Sequence, residues 1–266
     1  MENAIKYIDI HSHLHFDSYD EDREELLSRM NEEGVATISI GIDSATSVEE
    51  VELSENNDNI FTSIGIHPGD SSELFEDKRE TFERLLRSEK VVSIGECGFD
   101  YSHLEGDIEK AKRLQEKNFE AQVDFAVLND LPVMIHTRDA DEDTVSFLES
   151  KKREHGDRLR GNVHFFTQSL ENARRYLEID FTISFTGVIT FTDNYNEPIE
   201  FAPLDKIHGE TDAPFVAPVP NRGKRNEPTF VKYVYDRIAD IRGEDREKVR
   251  KQLLSNARRD FGLNRP

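Results

Sequence analysis

Cysteine and long apolar runs are what this chain of 266 residues has least of. Its single cysteine, Cys97, cannot form a disulfide within the chain. No apolar run is long enough to span a bilayer, and the N-terminus lacks a basic region followed by an apolar core. These absences argue against a disulfide-linked scaffold and against a membrane protein. We therefore expect a soluble cytoplasmic chain with no signal peptide and no membrane partner.

Positive charge is also scarce, because 34 Lys and Arg face 55 Asp and Glu, which gives a net charge of −21. A polyanionic surface repels nucleic acid at low ionic strength. Non-specific binding to duplexes is therefore disfavoured unless a local basic patch overcomes that field. The acidic excess fits an ordinary solvated surface or a source organism with a salty cytoplasm, and the sequence leaves both interpretations open.

The hydrophobic pattern alternates between short β-type runs and amphipathic helical stretches. Predicted strands cover residues 7–13, 35–42, 61–66, 91–94, 132–137, 161–166, 181–185 and 206–211. Predicted helices cover residues 20–33, 47–55, 78–88, 108–129, 229–241 and 244–261. Strands that alternate with helices imply a parallel sheet, and eight units at this length favour a closed α/β barrel. We predict a TIM-type (β/α)8 barrel, regular or distorted, as a single domain over residues 1–266.

Two histidines separated by one residue, His11 and His13, stand at the end of the first predicted strand. Residues i and i+2 of a strand point to the same side, so both imidazoles can face one ligand. Alone, the pair fits ordinary histidines as well as half of a metal site. Further candidates follow the other predicted strands, and the C-terminal strand ends of a barrel meet at one mouth. These candidates are His67, Glu96, His136, His164 and Asp212.

Four of the histidines together with Glu96 and Asp212 make a mixed nitrogen and oxygen donor set that suits a divalent ion. Six ligands are too many for one tetrahedral ion, so we expect two divalent metal ions. The identity of the metal stays open among Zn, Mg and Mn.

Several motifs go beyond this pattern and are specific. They are the stretches DIHSHL at residues 9–14, GIHP at 65–68, IGECGFDY at 94–101, QEKNFEAQ at 115–122, LPVMIHTR at 131–138, VHFF at 163–166, SFTG at 184–187, ETDAP at 210–214 and RGKRNEP at 222–228. Through them the chain resembles, over nearly its whole length, the TatD family of metal-dependent deoxyribonucleases among the amidohydrolase-like barrels.

The resemblance implies a division of the ligands. His11, His13 and Asp212 would bind one metal, His136 and His164 the other, and Glu96 would bridge the two. His67 would lie beside the site, in contact with substrate. The implied activity is metal-dependent phosphodiester hydrolysis by a 3′–5′ exodeoxyribonuclease. In that hypothesis Asp212 accepts a proton from metal-activated water, Glu96 is the second catalytic residue, and the substrate is single-stranded DNA or a 3′ end. We expect a monomer.

The positive groups available for phosphate are Arg138, just past His136, and the loop residues Arg222, Lys224 and Arg225. A solvated loop is the alternative for that cluster. The chain also departs from the family pattern in two places. His15 stands where the family usually has an acidic residue, and the residues after His164 are Phe-Phe-Thr at 165–167 rather than Cys-Phe-Ser or Cys-Phe-Thr. Both changes adjoin the site and bear on substrate preference.

Two other functions remain open from the sequence. The ligand set also suits an amidohydrolase-type enzyme that acts on a small amide, ester or lactone, and the basic loop at 222–225 favours the nuclease. The second alternative is a barrel that has lost catalysis and serves as a binding scaffold. The complete ligand set argues against it, because a decayed site would be expected to lose at least one ligand.

Overall fold

Eight parallel strands form one sheet whose order follows the sequence, in a computed structural model that describes residues 4–69, 73–102, 104 and 106–263. The strands are β1 (Tyr7–Ser12), β2 (Val35–Ile40), β3 (Ile60–Ile64), β4 (Val91–Asp100), β5 (Val133–Arg138), β6 (Gly161–Val163), β7 (Thr182–Phe185) and β8 (Ile207–Gly209). Each strand pairs in parallel with the next, and a bridge between Ser12 and Ala213 joins β1 to the residues after β8. The predicted (β/α)8 barrel is confirmed.

A helix follows each strand, and one more closes the chain. The α-helices are α1 (Arg23–Glu33), α2 (Ser44–Glu55), α3 (Phe75–Leu85), α4 (Ile108–Leu128), α5 (Asp141–His155), α6 (Leu170–Glu178), α7 (Asn196–Phe201), α8 (Val231–Arg242) and α9 (Arg246–Asp260). The sequence pattern did not locate α5, α6 or α7. Acidic and basic residues leave only a narrow apolar stripe on α5 and α6, and α7 has only six residues, one of them Pro198. None of the described helices has the length and apolar character needed to cross a bilayer.

Several strand predictions were wrong at their C-terminal ends, including the second and third strands, which end at Ile40 and Ile64 rather than at residues 42 and 66. Three further errors concern the candidate site. The fourth strand was predicted to end at residue 94, but β4 continues to Asp100, so Glu96 lies within the strand rather than after it. The sixth and eighth strands were predicted to reach residues 166 and 211, but β6 ends at Val163 and β8 at Gly209. Phe165 and Asp212 have positive φ angles of 47° and 53°, which extended strands do not adopt.

The apolar core has two parts. The larger part lies between the strands and the surrounding helices, and it contains the outward-facing strand residues such as Val35, Ile94 and Cys97. The smaller part lies inside the barrel and includes Ile8 and Met134, which pack with residues at the C-terminal end of α9. The end of α9 thereby fills the barrel near the beginnings of the strands, and the polar candidates are left at the opposite mouth.

Candidate metal centre

Six side chains predicted as metal ligands converge at the C-terminal mouth of the barrel. His11 lies in β1 and His13 directly follows that strand. Glu96 lies in β4 and His136 in β5. His164 and Asp212 follow β6 and β8. Glu96 and His11 are at most 3% exposed, so the cluster is set below the rim. Among the described residues four overlapping groups of donor atoms are close enough to share an ion, and two of them, His11–His13–Asp212 and Glu96–His136–His164, together contain all six predicted ligands.

Glu96 lies at the centre of the cluster and presents its two oxygens to different histidines. Oε1 is 2.6 Å from His136 Nδ1 and 2.7 Å from His164 Nε2. Oε2 is 3.3 Å from His11 Nε2. The carboxylate therefore lies between the two groups.

The second group is built around the histidine pair. The Nε2 atoms of His11 and His13 are 3.3 Å apart, so the two imidazoles do face one point, as the i, i+2 spacing predicted. Asp212 Oδ1 lies 3.4 Å from His13 Nε2 and 3.8 Å from His11 Nε2. The Nδ1 atom of His13 faces away from the cluster, 3.2 Å from the carbonyl oxygen of Ile40.

Electrostatics at the mouth favour added positive charge. Burial alone would raise the pKa of Glu96, but the surrounding histidines, His164 first, hold that pKa well below its usual value. Burial likewise works against ionised His164, yet the charges of Glu96 and Glu210 raise its pKa well above the usual value. Asp212 behaves like Glu96, since His13 and its neighbours lower its pKa against the effect of burial.

The same residues fit divalent metal ions. Two buried carboxylates held as anions, each surrounded by imidazole nitrogens, form the donor chemistry that Zn²⁺ and related ions bind. The carboxylate charges that raise the pKa of His164 and His136 would also stabilise a bound cation. The side chains at the mouth can therefore bind metal ions.

An irregular β4 positions Glu96. Between Ile94 and Cys97 the strand has one residue more than its partner β5, which is the pattern of a β-bulge. Gly95 and Gly98 have φ angles of 138° and 150°, and a Cβ at Gly98 would lie only 1.9 Å from the carbonyl oxygen of His136. Only glycine fits such an approach, so the two glycines let β4 turn the Glu96 side chain inward. Cys97 faces the outer core, as predicted.

The position of Asp212 depends on Asp9, a fully buried residue of β1. Asp9 accepts hydrogen bonds from the backbone N–H of Thr211 at 2.8 Å and from its hydroxyl at 2.5 Å. Asp212 N–H in turn donates to the carbonyl oxygen of His11 at 2.9 Å. These bonds tie the segment after β8 to β1, so His11 and Asp212 are held side by side.

Two carboxylates behind the cluster were not assigned a role from the sequence. Asp100 Oδ2 lies 3.2 Å from His136 Nε2, and Glu210 Oε1 lies 3.4 Å from His164 Nδ1. A carboxylate behind a metal-binding histidine fixes the ring and its tautomer. The available signal was their place in the motifs at 94–101 and 210–214, where each lies a few residues from a predicted ligand.

His67 lies beside the six predicted ligands, and its donor atom also groups with those of Asp100 and His136 closely enough to share an ion. Its Nδ1 accepts a hydrogen bond from Gly69 N–H at 2.9 Å, so Nε2 faces His136 Nδ1 at 3.3 Å. Burial and the neighbouring His136 lower the pKa of His67 to about 4. A neutral ring with an N–H on Nε2 can donate a hydrogen bond toward the mouth.

The departures at residues 15 and 165–167 have structural explanations. The Nδ1 atom of His15 lies 2.8 Å from Glu50 Oε1 of α2. Glu50 therefore supplies a carboxylate beside the position where the family usually has an acidic residue. Phe165 donates its backbone N–H to Glu210 at 2.6 Å, and Phe166 packs in the outer core against Tyr176.

The predicted phosphate contacts are placed differently from one another. Arg225 forms a two-point ion pair with Asp22, with both N–O distances 2.6 Å, and lies over the ring of Tyr19. Arg222 is exposed and lies 3.5 Å from the ring centre of Phe191. Lys224 and Arg138 are exposed. Arg225 therefore has a carboxylate partner and Arg222 an aromatic one.

A parallel barrel with a buried histidine and carboxylate cluster at its C-terminal mouth defines the class of metal-dependent hydrolases. A sequence model of the TatD related DNase family matches residues 8–262. The chain therefore belongs to that family, and the expectation of a hydrolytic enzyme is confirmed.

Individual relatives agree over the full length. The uncharacterised metal-dependent hydrolase YabD of Bacillus subtilis (strain 168) is 38% identical, over 96% of this chain and 99% of the relative. The 3′-5′ ssDNA/RNA exonuclease TatD of Pantoea ananatis is 31% identical, over 96% of this chain and 99% of the relative. Among solved structures, the TatD homologue YJJV of Escherichia coli K12 superposes with a TM-score of 0.86 at 28% identity, covering 97% of this chain and 98% of that chain.

Proposed function

We propose that this chain cleaves phosphodiester bonds in single-stranded nucleic acid and removes nucleotides from a 3′ end, with two divalent metal ions bound at the barrel mouth. The observation that carries the proposal is the division of the Glu96 carboxylate between two imidazoles on Oε1 and one on Oε2. A carboxylate shared in this way suits two ions a few ångströms apart, as two-metal phosphodiesterases use them. The Pantoea ananatis relative, named as a 3′-5′ ssDNA/RNA exonuclease, supports the choice of substrate.

The residues would divide the work as their positions suggest. His11, His13 and Asp212 would bind one ion, His136 and His164 the other, and Glu96 both. Bound divalent ions would lower the pKa of water and neutralise charge on the phosphate. We assign Asp212 as proton acceptor, because both oxygens of Glu96 already face histidines. His67, Arg138, Arg222 and Lys224 are the side chains we assign to substrate, with Arg225 available only if it leaves Asp22. We further propose a monomer whose residues 1–266 form one domain.

End-labelled oligonucleotides test the proposal directly. The purified protein, stripped with a chelator and reloaded with Zn²⁺, Mg²⁺ or Mn²⁺ in turn, should shorten single-stranded DNA from the 3′ end one nucleotide at a time. Metal content per chain, measured on the same samples, should approach two. Products that shorten from the 5′ end, or internal cuts alone, would refute the exonuclease assignment while leaving a phosphodiesterase.

The amidohydrolase alternative is separated by substrate class. A panel of small amides, esters and lactones should give no turnover above that of the metal-free protein, whereas a generic phosphodiester should be hydrolysed. The reverse result would favour the alternative. An inactive but metal-loaded protein on both panels would instead point to a binding scaffold.

Replacing Asp212 with Asn tests its assignment as proton acceptor. The amide keeps the shape of the side chain but cannot take a proton, so kcat should fall by about a hundredfold or more. The KM for substrate should change much less, since the remaining groups still bind phosphate. A variant that loses affinity with kcat intact would leave Asp212 a positioning residue, and His67 would be the next base to test.

A further inference from the structure

Exposed apolar side chains are concentrated next to the metal centre. In the described part of the chain six large hydrophobic side chains are exposed, and three of them, Phe191, Phe215 and Val219, lie in the loops after β7 and β8. Val219 N–H donates to Thr190 Oγ1 at 2.9 Å, which joins the two loops into one surface. Exposed apolar surface that is clustered rather than scattered marks binding sites.

Phe215 is the member of this surface nearest the candidate ligands. It follows Asp212 by three residues, and its N–H donates to the carbonyl oxygen of Asp212 at 2.9 Å. Its ring centre lies 6.3 Å from that of His13 and 5.5 Å from that of Phe16. The ring is nevertheless 48% exposed, so a face is left open beside the metal centre.

The same surface carries a positively charged side chain, Arg222, that could contact the phosphates of a nucleic acid. Arg222 stacks 3.5 Å from the ring centre of Phe191, whereas Arg225 of the same loop is paired with Asp22. A guanidinium on an aromatic ring offers both a stacking plane and a positive charge. The two aromatic residues of the motif at 94–101 do not contribute here, because Phe99 is buried in the outer core and Tyr101 donates its hydroxyl to Asp143.

We propose that Phe215 is the stacking surface for an unpaired nucleobase next to the bond that is cleaved, and that Phe191 with Arg222 continues this surface for the neighbouring nucleotide. The inference rests on the proposed function. It names the side chains that would bind the unpaired bases at the end of the single-stranded substrate. Stacking on aromatic rings accepts any base, since every base has a π-face. On a chain with a net charge of −21, stacking also supplies affinity that salt does not remove.

The test compares two single-stranded DNA substrates that differ only in their bases. One carries ordinary nucleotides throughout, and the other carries tetrahydrofuran abasic units at its last two positions. The variants are Phe215→Leu, which keeps apolar volume without a π-face, and Phe215→Tyr, which keeps the ring. Phe201→Ala is the matched control, because Phe201 is an exposed phenylalanine at the end of α7. Binding to chelated protein is measured by fluorescence anisotropy, and kcat and KM on metal-loaded protein.

We expect Phe215→Leu to raise the Kd and KM for the ordinary strand about tenfold, as the loss of one stacked base predicts. Its values for the abasic strand should stay within about twofold, and Phe215→Tyr and Phe201→Ala should match the unaltered protein. Equal losses on both strands would make Phe215 a cap over the site and would overturn the inference, as would no loss on either. Base-dependent binding without any turnover would sustain the stacking surface and refute the proposed function instead.

Discussion

The barrel has a largely buried histidine–carboxylate pair toward each end, and the two pairs have different surroundings. Near the beginning of β8, His208 Nε2 lies 3.0 Å from Asp260 Oδ2, beside the ring of Phe261. At the mouth, His136 is paired with Asp100 at a similar distance of 3.2 Å but also lies 2.6 Å from Glu96.

The difference lies in how the carboxylates are shared. Asp260 serves one histidine and one arginine, Arg259, and the pair packs among apolar residues. Three histidine nitrogens lie within 3.3 Å of the Glu96 oxygens, and each of these histidines has a second partner or a buried nitrogen pointing elsewhere. In a single histidine–carboxylate pair each side chain is the ionic partner of the other. Several histidines around one carboxylate instead leave donor atoms directed at a common point. The sharing, and not burial or ion pairing alone, marks the mouth as the candidate metal centre.

The largest expected effect follows from removing the shared charge. Glu96→Gln keeps the volume of the side chain but not its anion, so kcat/KM should fall by about a thousandfold. The fold should be retained, since no cavity forms. The assay is hydrolysis of a phosphodiester with metal in excess.

Asp260→Asn is the matched control at the opposite end of the barrel, because it too replaces a histidine-paired carboxylate, here a partly buried one, by its amide. Its kcat/KM should equal that of the unaltered protein. If Glu96→Gln retained full turnover, or if Asp260→Asn lost it, the distinction between the two ends would be wrong.

A smaller effect should come from the carboxylate behind His136. Asp100→Asn leaves every proposed ligand in place but removes the charge that orients the ring, so metal affinity should fall about 10- to 100-fold. Titration of the chelated protein with Zn²⁺, followed by calorimetry, measures this. Affinity equal to that of the unaltered protein would mean that Asp100 only caps the ring.

At the opposite end the effect should be on stability and should depend on pH. Burial would raise the pKa of Asp260, but the bonds from His208 and Arg259 hold it below its usual value. A carboxylate with a lowered folded-state pKa stabilises the fold above about pH 4 and loses that contribution as pH falls through the folded-state pKa. Asp260→Asn should therefore cost about 1–3 kcal/mol at pH 7 and less in acid.

Urea unfolding at pH 7 and at pH 3 measures the difference, with turnover recorded in parallel at pH 7. Equal destabilisation at both pH values would mean that packing, and not the charge of Asp260, holds this end of the barrel together.

The smallest expected effect is the salt dependence of stability. It depends on exposed surface charge rather than on either histidine–carboxylate pair. With a net charge of −21, repulsion between surface carboxylates strains the fold at low salt, and the Debye length shrinks from about 10 Å at 0.1 M to about 3 Å at 1 M. We expect about 1 kcal/mol of added stability, or a few degrees in the melting midpoint, as KCl rises to molar concentration. A midpoint that stays constant or falls would leave the acidic excess as a matter of solubility and would argue against a salty cytoplasm.

Sequence reasoning located the candidate ligands better than the segments that hold them. These candidates were found because each is a rare residue type near a β-branched run, and a parallel barrel brings such positions together whatever the details. The boundaries of β4, β6 and β8 were missed because the bulge at Glu96 and the positive φ angles at Phe165 and Asp212 depend on neighbouring strands. Local propensity carries no information about those neighbours.

The sequence by itself determined the eight strands and most of the helices between them, and with these the barrel and the seven candidate side chains at its mouth. Those depend on periodicity and residue type, which are local. Only the tertiary structure decided that Glu96 divides its oxygens between two groups, that Asp100 and Glu210 stand behind His136 and His164, and that Arg225 is paired with Asp22. Each of these joins residues far apart in the chain, and such a contact depends on distances that exist only once the barrel has closed.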